Sequence, residues 1–356
     1  MKYNYRLSAF LFFAISLIFL SGCSKDEENP VEPKYNGISK PLNPFEQNSR
    51  LGRGVNIGNA LEAPKEGDWG VTIEDEYFTY LKEKGFNSVR IPIKWSAHAS
   101  ETSPYTINQQ FFERIDHIIN KALDNNLAVI INVHHYDEMM TDPANHIQRL
   151  IALWKQISER YVQYPAELFF ELLNEPNNKL GTELWNQYLA QLITAVREKN
   201  PYRTIIIGPA NWNNVDYISS LQIPKEEINV IVTFHYYNPF QFTHQGANWV
   251  DGSNSWLGTT WSNKTSETAA IQNDFDKALN WSIANNRPIN IGEFGAFNKA
   301  DITSRVKWTT YVSRAAEQKG FSWNYWEFCS GFGFYDPNTN EWNTKLLNAL
   351  NPALSM

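Results

Sequence analysis

The chain has 356 residues, 42% of them hydrophobic and 19% charged, enough for a sizeable core and incompatible with wholesale disorder. With 31 Lys+Arg against 38 Asp+Glu, the net charge of −7 excludes a nucleic-acid partner, since phosphate contacts need clustered basic residues. Two cysteines, Cys23 and Cys329, can build neither a disulfide framework nor a Cys-based zinc site. The 13 Trp, 17 Tyr and 21 Phe suit either an aromatic-rich core or a cleft whose rings stack on the apolar faces of sugars.

The chain opens with Lys2 and Arg6 and an apolar run from Leu7 to Leu20. That run is shorter than the ~20 residues a membrane-spanning helix needs, so residues 1–22 read as a secretion signal. Leu20-Ser21-Gly22-Cys23 has the form of a bacterial lipobox, with cleavage before Cys23 leaving it free for lipid; a plain signal peptide is the alternative. Residues 23–45 carry the acidic Ser24-Lys25-Asp26-Glu27-Glu28 and Pro30, Pro33, Pro41 and Pro44, and read as an extended tether. The expected product is a lipoprotein of the outer membrane, facing the cell surface or the periplasm.

From residue 46 to 356 the text reads as one catalytic domain. Eight short β-rich runs are predicted at 54–57, 88–91, 128–133, 168–173, 204–207, 230–234, 288–291 and 321–325, with amphipathic helical patterns between them. One helical face collects Phe111, Ile115, Ile118, Ile119 and Ala122, a second Ile147, Leu150, Ile151, Trp154 and Ile157, and a third Leu184, Tyr188, Leu192 and Val196. Strand–helix alternation means parallel strands with right-handed crossovers, and eight units suit a closed (β/α)₈ barrel. An open doubly wound sheet is the rival, but Gly52-Arg53-Gly54 precedes the first strand instead of forming a phosphate loop after it. The stretch from Tyr236 to Ser266 lacks a helical pattern and is rich in Trp and Phe, as functional loops are.

In such a barrel the site lies where strands end. There the sequence places Asn59 and Glu62, Arg90, His134 and His135, Asn174 and Glu175, His235 and Tyr237, Glu293, and Trp326 with Glu327. Singly, each is as well explained as a satisfied core residue or a solvated strand end. Together they suggest a catalytic rim. Glu175 and Glu293 each end an apolar run, and glycoside cleavage needs one carboxylic acid and one carboxylate. Repulsion and burial are expected to raise one pKa while Arg90 keeps the other ionised. A metal at His134 and His135 is disfavoured, because adjacent strand residues point to opposite faces.

RGVNIGNALEAPKEGDWG, VRIPIKW, INVHHY, LLNEP, HYYNPF, IGEFGA and YWEFCSGFG occur in this order. The series resembles glycoside hydrolase family 5, in particular its Thermotoga-type bacterial endoglucanases, over about residues 45–350. The resemblance implies a retaining mechanism without cofactor, with Glu175 as acid/base and Glu293 as nucleophile. It also implies Asn174 on the sugar 2-hydroxyl, Arg90 and Tyr237 holding Glu293, His134 and His235 in the same pocket, and Trp326 beneath the sugar. Asn59, Glu62, His135, His244, Trp249, Glu327 and Phe332 are expected to line the cleft. The implied partner is a β-1,4-linked glucan, glucomannan or mannan acted on by a monomer. A strict mannanase, a catalytically silent lectin and an exo-acting enzyme are the alternatives.

Overall fold

The computed structural model describes residues 1–2 and 34–352 of the chain. The lipobox, Cys23 and the first part of the expected tether, residues 23–33, lie outside the described residues. Tyr35–Met356 forms a compact unit of its own, and it starts earlier than expected. The Gly37 amide donates to the Gln163 carbonyl at 2.7 Å and the Tyr35 hydroxyl to Asn120 Oδ1 at 3.1 Å, so residues 35–45 belong to the folded body. No described helix is long and apolar enough to cross a membrane.

Eight parallel strands close into a barrel in sequence order. They are β1 (Arg53–Asn56), β2 (Ser88–Ile91), β3 (Ala128–Asn132), β4 (Leu168–Glu171), β5 (Ile205–Ile207), β6 (Val230–Tyr236), β7 (Ile289–Phe294) and β8 (Ser322–Tyr325). Every predicted strand is present, and the three helical faces fall on helices Gln109–Asp124, Pro143–Arg160 and Thr182–Arg197. The Tyr236–Ser266 stretch holds two single turns, Phe240–Thr243 and Ser253–Trp256, before the helix Thr265–Asn285.

The strands are buried on both faces, as parallel strands covered by helices are. Outside the barrel, strand residues such as Val129, Ile131 and Phe170 join one large cluster with the surrounding helices. A second cluster, Leu51, Ala128, Ile130, Phe169, Ile206 and Ile231, fills the lower interior, with Leu51 entering from the helix Pro44–Leu51. The β7–β8–β1 side of the interior is polar instead. There Asn290 donates to Ser322 Oγ at 2.8 Å and to Asn324 Oδ1 at 3.2 Å. Gly54 faces this cluster because a Cβ there would lie 2.0 Å from Asn324 Nδ2.

Candidate active site

The upper interior is organised by Arg90 on β2, whose side chain is fully buried. Its Nε and Nη2 bond both oxygens of Glu171 at 2.6 and 2.7 Å, a bidentate pair. Nη1 reaches Glu293 Oε1 and Asn56 Oδ1, each at 2.8 Å, and Nη2 also reaches Asn174 Oδ1 at 2.7 Å. Burial opposes the guanidinium charge, but Glu171 and Glu293 more than offset it and hold Arg90 above the ordinary arginine range.

Glu293 comes from β7, and a bulge aims it. Asn290 points into the barrel, so strict alternation would send Gly292 in and Glu293 out. The register instead slips between Ile291 and Phe294 on the β8 side, and between Phe234 and His235 on the β6 side, pairing His235 with Glu293. Gly292 permits this, since a Cβ there would meet Thr233 Oγ1 at 2.6 Å and His235 Nε2 at 3.0 Å. Glu293 accepts from Arg90 and, through Oε2, from the Tyr237 hydroxyl at 2.9 Å.

Glu175 lies four residues past the end of β4, with φ 46°, in the left-handed region that a non-glycine residue occupies only when its surroundings enforce it. Asn177 Nδ2 donates to the Glu175 carbonyl at 2.7 Å and helps hold that turn. Its carboxylate Oε1 sits 2.6 Å from His235 Nδ1, and its side chain is 25% exposed to the cleft. His235 Nδ1 is also 3.5 Å from Glu293 Oε2.

These surroundings decide the charges. Burial pushes Glu175 up to about 7, with Arg90 pulling down and Glu171 pushing up. Burial also raises Glu293, opposed by His235 and Arg90, while Glu175 adds to the rise and the Tyr237 hydrogen bond lowers it. Arg90, its fork shared with Glu171, lowers Glu293 without cancelling the effect of burial. With two donors on Glu293 and a single ring nitrogen at Glu175, the pair's proton belongs to Glu175. Burial lowers His235 to about 4, leaving it neutral at neutral pH.

Around this pair opens a cleft of about 1100 Å³, lined among others by Asn59, Glu62, His134, His135, Asn174, Tyr237, His244, Trp249, Trp326 and Phe332. His134 receives the Asn132 amide on Nδ1 at 3.0 Å and stacks on Trp326 at 6.0 Å and 14°. Trp326 lies against bare Gly58, whose Cβ would come within 2.8 Å of the indole. His135 shares the cleft with His134, their rings edge to face at 4.6 Å, contrary to the alternation argument. The strand has already ended at Asn132, and φ 46° at His135 swings its ring to the same side.

Glu327 is corrected outright. It does not line the cleft but is buried behind it, accepting the amides of Ser330 at 3.0 Å and Phe332 at 3.2 Å, so it shapes the loop that presents Phe332. Glu62 is also wholly buried and accepts the amides of Asn59 and, at 3.0 Å, Ala60. Burial pushes Glu62 up to about 7 and Glu327 to about 8. His244 bonds Thr243 Oγ1 at 2.9 Å and stacks on Phe240.

Several residues of this site were not anticipated. Glu171, Asn56 and Asn132 hold the rim residues from below, and Trp69 and Trp212 join Trp249 as half-exposed indoles along the cleft. Trp69, Asn56 and Asn132 lie inside the motifs RGVNIGNALEAPKEGDWG and INVHHY, whereas Glu171 and Trp212 carry no such signal. Among the described residues, Glu175, His235 and Glu293 are the one trio whose ligand atoms lie within 4.8 Å of one another, close enough to consider a metal. Their partners argue for another use, because Arg90 already supplies the cation at Glu293. Cys329 is a buried free thiol.

The family model for Cellulase (glycosyl hydrolase family 5) matches residues 51–331. Endoglucanase H of Acetivibrio thermocellus is 36% identical over 317 residues, covering 87% of this chain and 34% of its own length. Endoglucanase B of Clostridium cellulovorans is 29% identical, with 81% and 70% covered. The chain thus spans about a third of the first of these relatives. Structures of Thermotoga maritima Cel5A with mannotriose and with cellobiose superpose with a TM-score of 0.85 at 54% identity, covering 86% of this chain and 99% of theirs. With a barrel that superposes on these structures and a family model that matches residues 51–331, the chain belongs to glycosyl hydrolase family 5, the cellulases.

Proposed function

We propose that the domain is an endo-β-1,4-glycanase that hydrolyses β-glucan with retention of configuration and also accepts β-1,4-mannan. One observation carries this reading. A Glu175 oxygen and a Glu293 oxygen lie within 4.8 Å of each other. Oxygens this near suit the ~5–5.5 Å carboxyl separation of retaining enzymes better than the ~6.5–9.5 Å of inverting enzymes, which seat a water between the two groups.

In the first step Glu293 attacks C1 of the sugar while the C1–O bond breaks, and Glu175 gives its proton to the departing oxygen. Arg90 and Tyr237 hold Glu293 on its trajectory, and Asn174, whose Oδ1 is taken by Arg90, offers its amide nitrogen to the 2-hydroxyl. In the second step Glu175, now a carboxylate, takes a proton from water as it attacks C1 and releases Glu293. The cleft binds a chain internally because its indoles are spread along it: Trp69 edges His135 at 5.5 Å, and Trp249 edges Phe297 at 4.9 Å. Indole faces stack on glucose and mannose alike, and a neighbour at 54% identity is described with both cellobiose and mannotriose, which supports dual use.

Kinetics on soluble glucan, glucomannan and mannan oligomers test the reading. We expect kcat/KM on glucan and glucomannan to agree within about a hundredfold, with mannan cut more weakly, since a site matching both epimers discriminates far less than the ~10⁴-fold of an unmatched buried polar group. No cleavage of mannohexaose would make the enzyme a strict glucanase. We further propose that Cys23 is lipidated and anchors the enzyme in the outer membrane. Cys23→Ala should then move it to the soluble fraction, and unchanged fractionation would refute the anchor.

A further inference from the structure

Behind His235 lies a segment that the reaction as described does not use. After β5 the chain turns through three successive left-handed residues, Asn211, Trp212 and Asn213, with φ 57°, 59° and 53°. Asparagine tolerates this conformation; tryptophan does so only under constraint. The turn is tied to both halves of the catalytic pair. The Trp212 amide donates to the Pro176 carbonyl at 3.2 Å, next to Glu175, and Asn214 forms an isolated parallel bridge with His235. The Asn213 side chain is wholly buried, and its Nδ2 lies 3.2 Å from His235 Nε2. Room for its amide exists because residue 208 is glycine, where a Cβ would fall 2.1 Å from Asn213 Oδ1.

We propose that Asn213 is a positioning residue that fixes the hydrogen of His235 on Nδ1, and so decides which oxygen of Glu175 carries the acid proton. A neutral imidazole has one N–H. With Nε2 accepting from Asn213, that hydrogen sits on Nδ1 and points at Glu175 Oε1, 2.6 Å away. Oε1 is then an acceptor, and the proton of Glu175 resides on Oε2, which no described protein group engages and which is free for the glycosidic oxygen. If the amide were reversed, Nε2 would carry the hydrogen, Nδ1 would accept, and the Glu175 proton would be drawn onto Oε1, away from substrate. The reversal would also leave a buried two-hydrogen amide nitrogen unpartnered in place of the single orphan oxygen, Asn213 Oδ1, present now. The groups facing this pair from the other strands are Arg90, Glu171, Glu293, His134 and Tyr237, and burial keeps the ring neutral at working pH.

The proposal rests on Glu175 being the acid/base, and the test separates the two. Asn213→Ala is assayed by kcat/KM, which reports the first step, on one aryl glycoside with a good leaving group and one with a poor one. A misplaced acid proton hurts only the poor leaving group, so the ratio between the substrates should grow by about tenfold or more, a part of the ~10²–10⁴ that general acid catalysis supplies. A ratio equal to that of the wild type, whatever the absolute rates, overturns the proposal. Glu175→Gln is the control: if it shows no leaving-group dependence, the assignment of Glu175 fails instead. Nitrogen-15 NMR of the unmodified enzyme gives a second reading that survives any folding defect of the variant. His235, assigned by its loss in His235→Gln, should show the Nδ1–H tautomer; the Nε2–H tautomer overturns the proposal.

Discussion

Arg90 is the residue on which the upper barrel depends, and removing it should be costly in a way that a second mutation partly repairs. Arg90→Leu deletes a fully buried cation and leaves Glu171, 1% exposed, without the fork that holds both its oxygens, and Glu293 without its charged donor. Removing one partner of a buried pair costs about 3–5 kcal/mol, because the remaining charge stays out of water without compensation. Glu171→Leu alone should cost less, since Arg90 still faces Glu293, Asn56 and Asn174. In Arg90→Leu/Glu171→Leu both charges are replaced by apolar groups, and the double variant should be more stable than the sum of the single losses by about 1–3 kcal/mol. Urea denaturation at neutral pH measures this from the midpoints, provided the slope is shared by all four proteins. Losses that add within about 0.5 kcal/mol would show that the pair is not coupled and refute the reasoning. Activity is no substitute readout here, because Arg90 also holds Glu293.

Further outcomes follow from the same geometry. Glu175→Ala should lose activity on natural glycans yet still form the glycosyl-enzyme from an activated aryl glycoside, with azide restoring the second step as the β-glycosyl azide, whereas Glu293→Ala should form no glycosyl-enzyme and any azide product should be the inverted α-glycosyl azide; the same azide anomer from both would mean the roles are misassigned. Activity should fall as pH rises through about 7, where Glu175 loses the proton it must donate, and a basic limb unmoved by any Glu175 substitution would contradict this. Glu62 and Glu327 are raised from 4.5 to about 7 and about 8. Their unfolded forms release protons first, so the stability tied to their protonated state is complete below about 4.5 and is lost as pH rises to about 8. Glu327→Gln should flatten the fall of melting temperature across that window, and an unchanged slope would refute it.

Much of this was legible from residues alone, and the exceptions have physical causes. Strands buried on both faces stand out as apolar runs, so β1 to β8 were found, and the polar residues at their ends marked the rim. The same burial hides the period of two, so Glu171 on β4 read as part of an apolar run instead of an inward carboxylate paired with Arg90. Alternation then misled at His135, where the strand had already ended. It would also have misled at Glu293, where a bulge at Gly292 reverses the face. The family resemblance implies Glu327 in the cleft; its carboxylate instead satisfies two loop amides, a role no local pattern announces. The Asn213 turn is a similar case, since consecutive left-handed residues leave no signature beyond an Asn-rich string.

The account stands on Glu293 forming a covalent bond to the sugar. In a 2-deoxy-2-fluoro aryl cellobioside the fluorine slows both steps, and a good leaving group speeds only the first, so the glycosyl-enzyme accumulates. Incubated with the enzyme, digested and read by mass spectrometry, it should leave one fluorosugar on the peptide containing Ile291-Gly292-Glu293-Phe294, located at Glu293. Label at Glu175 or another residue, or hydrolysis with no adduct and an inverted product, would contradict the account.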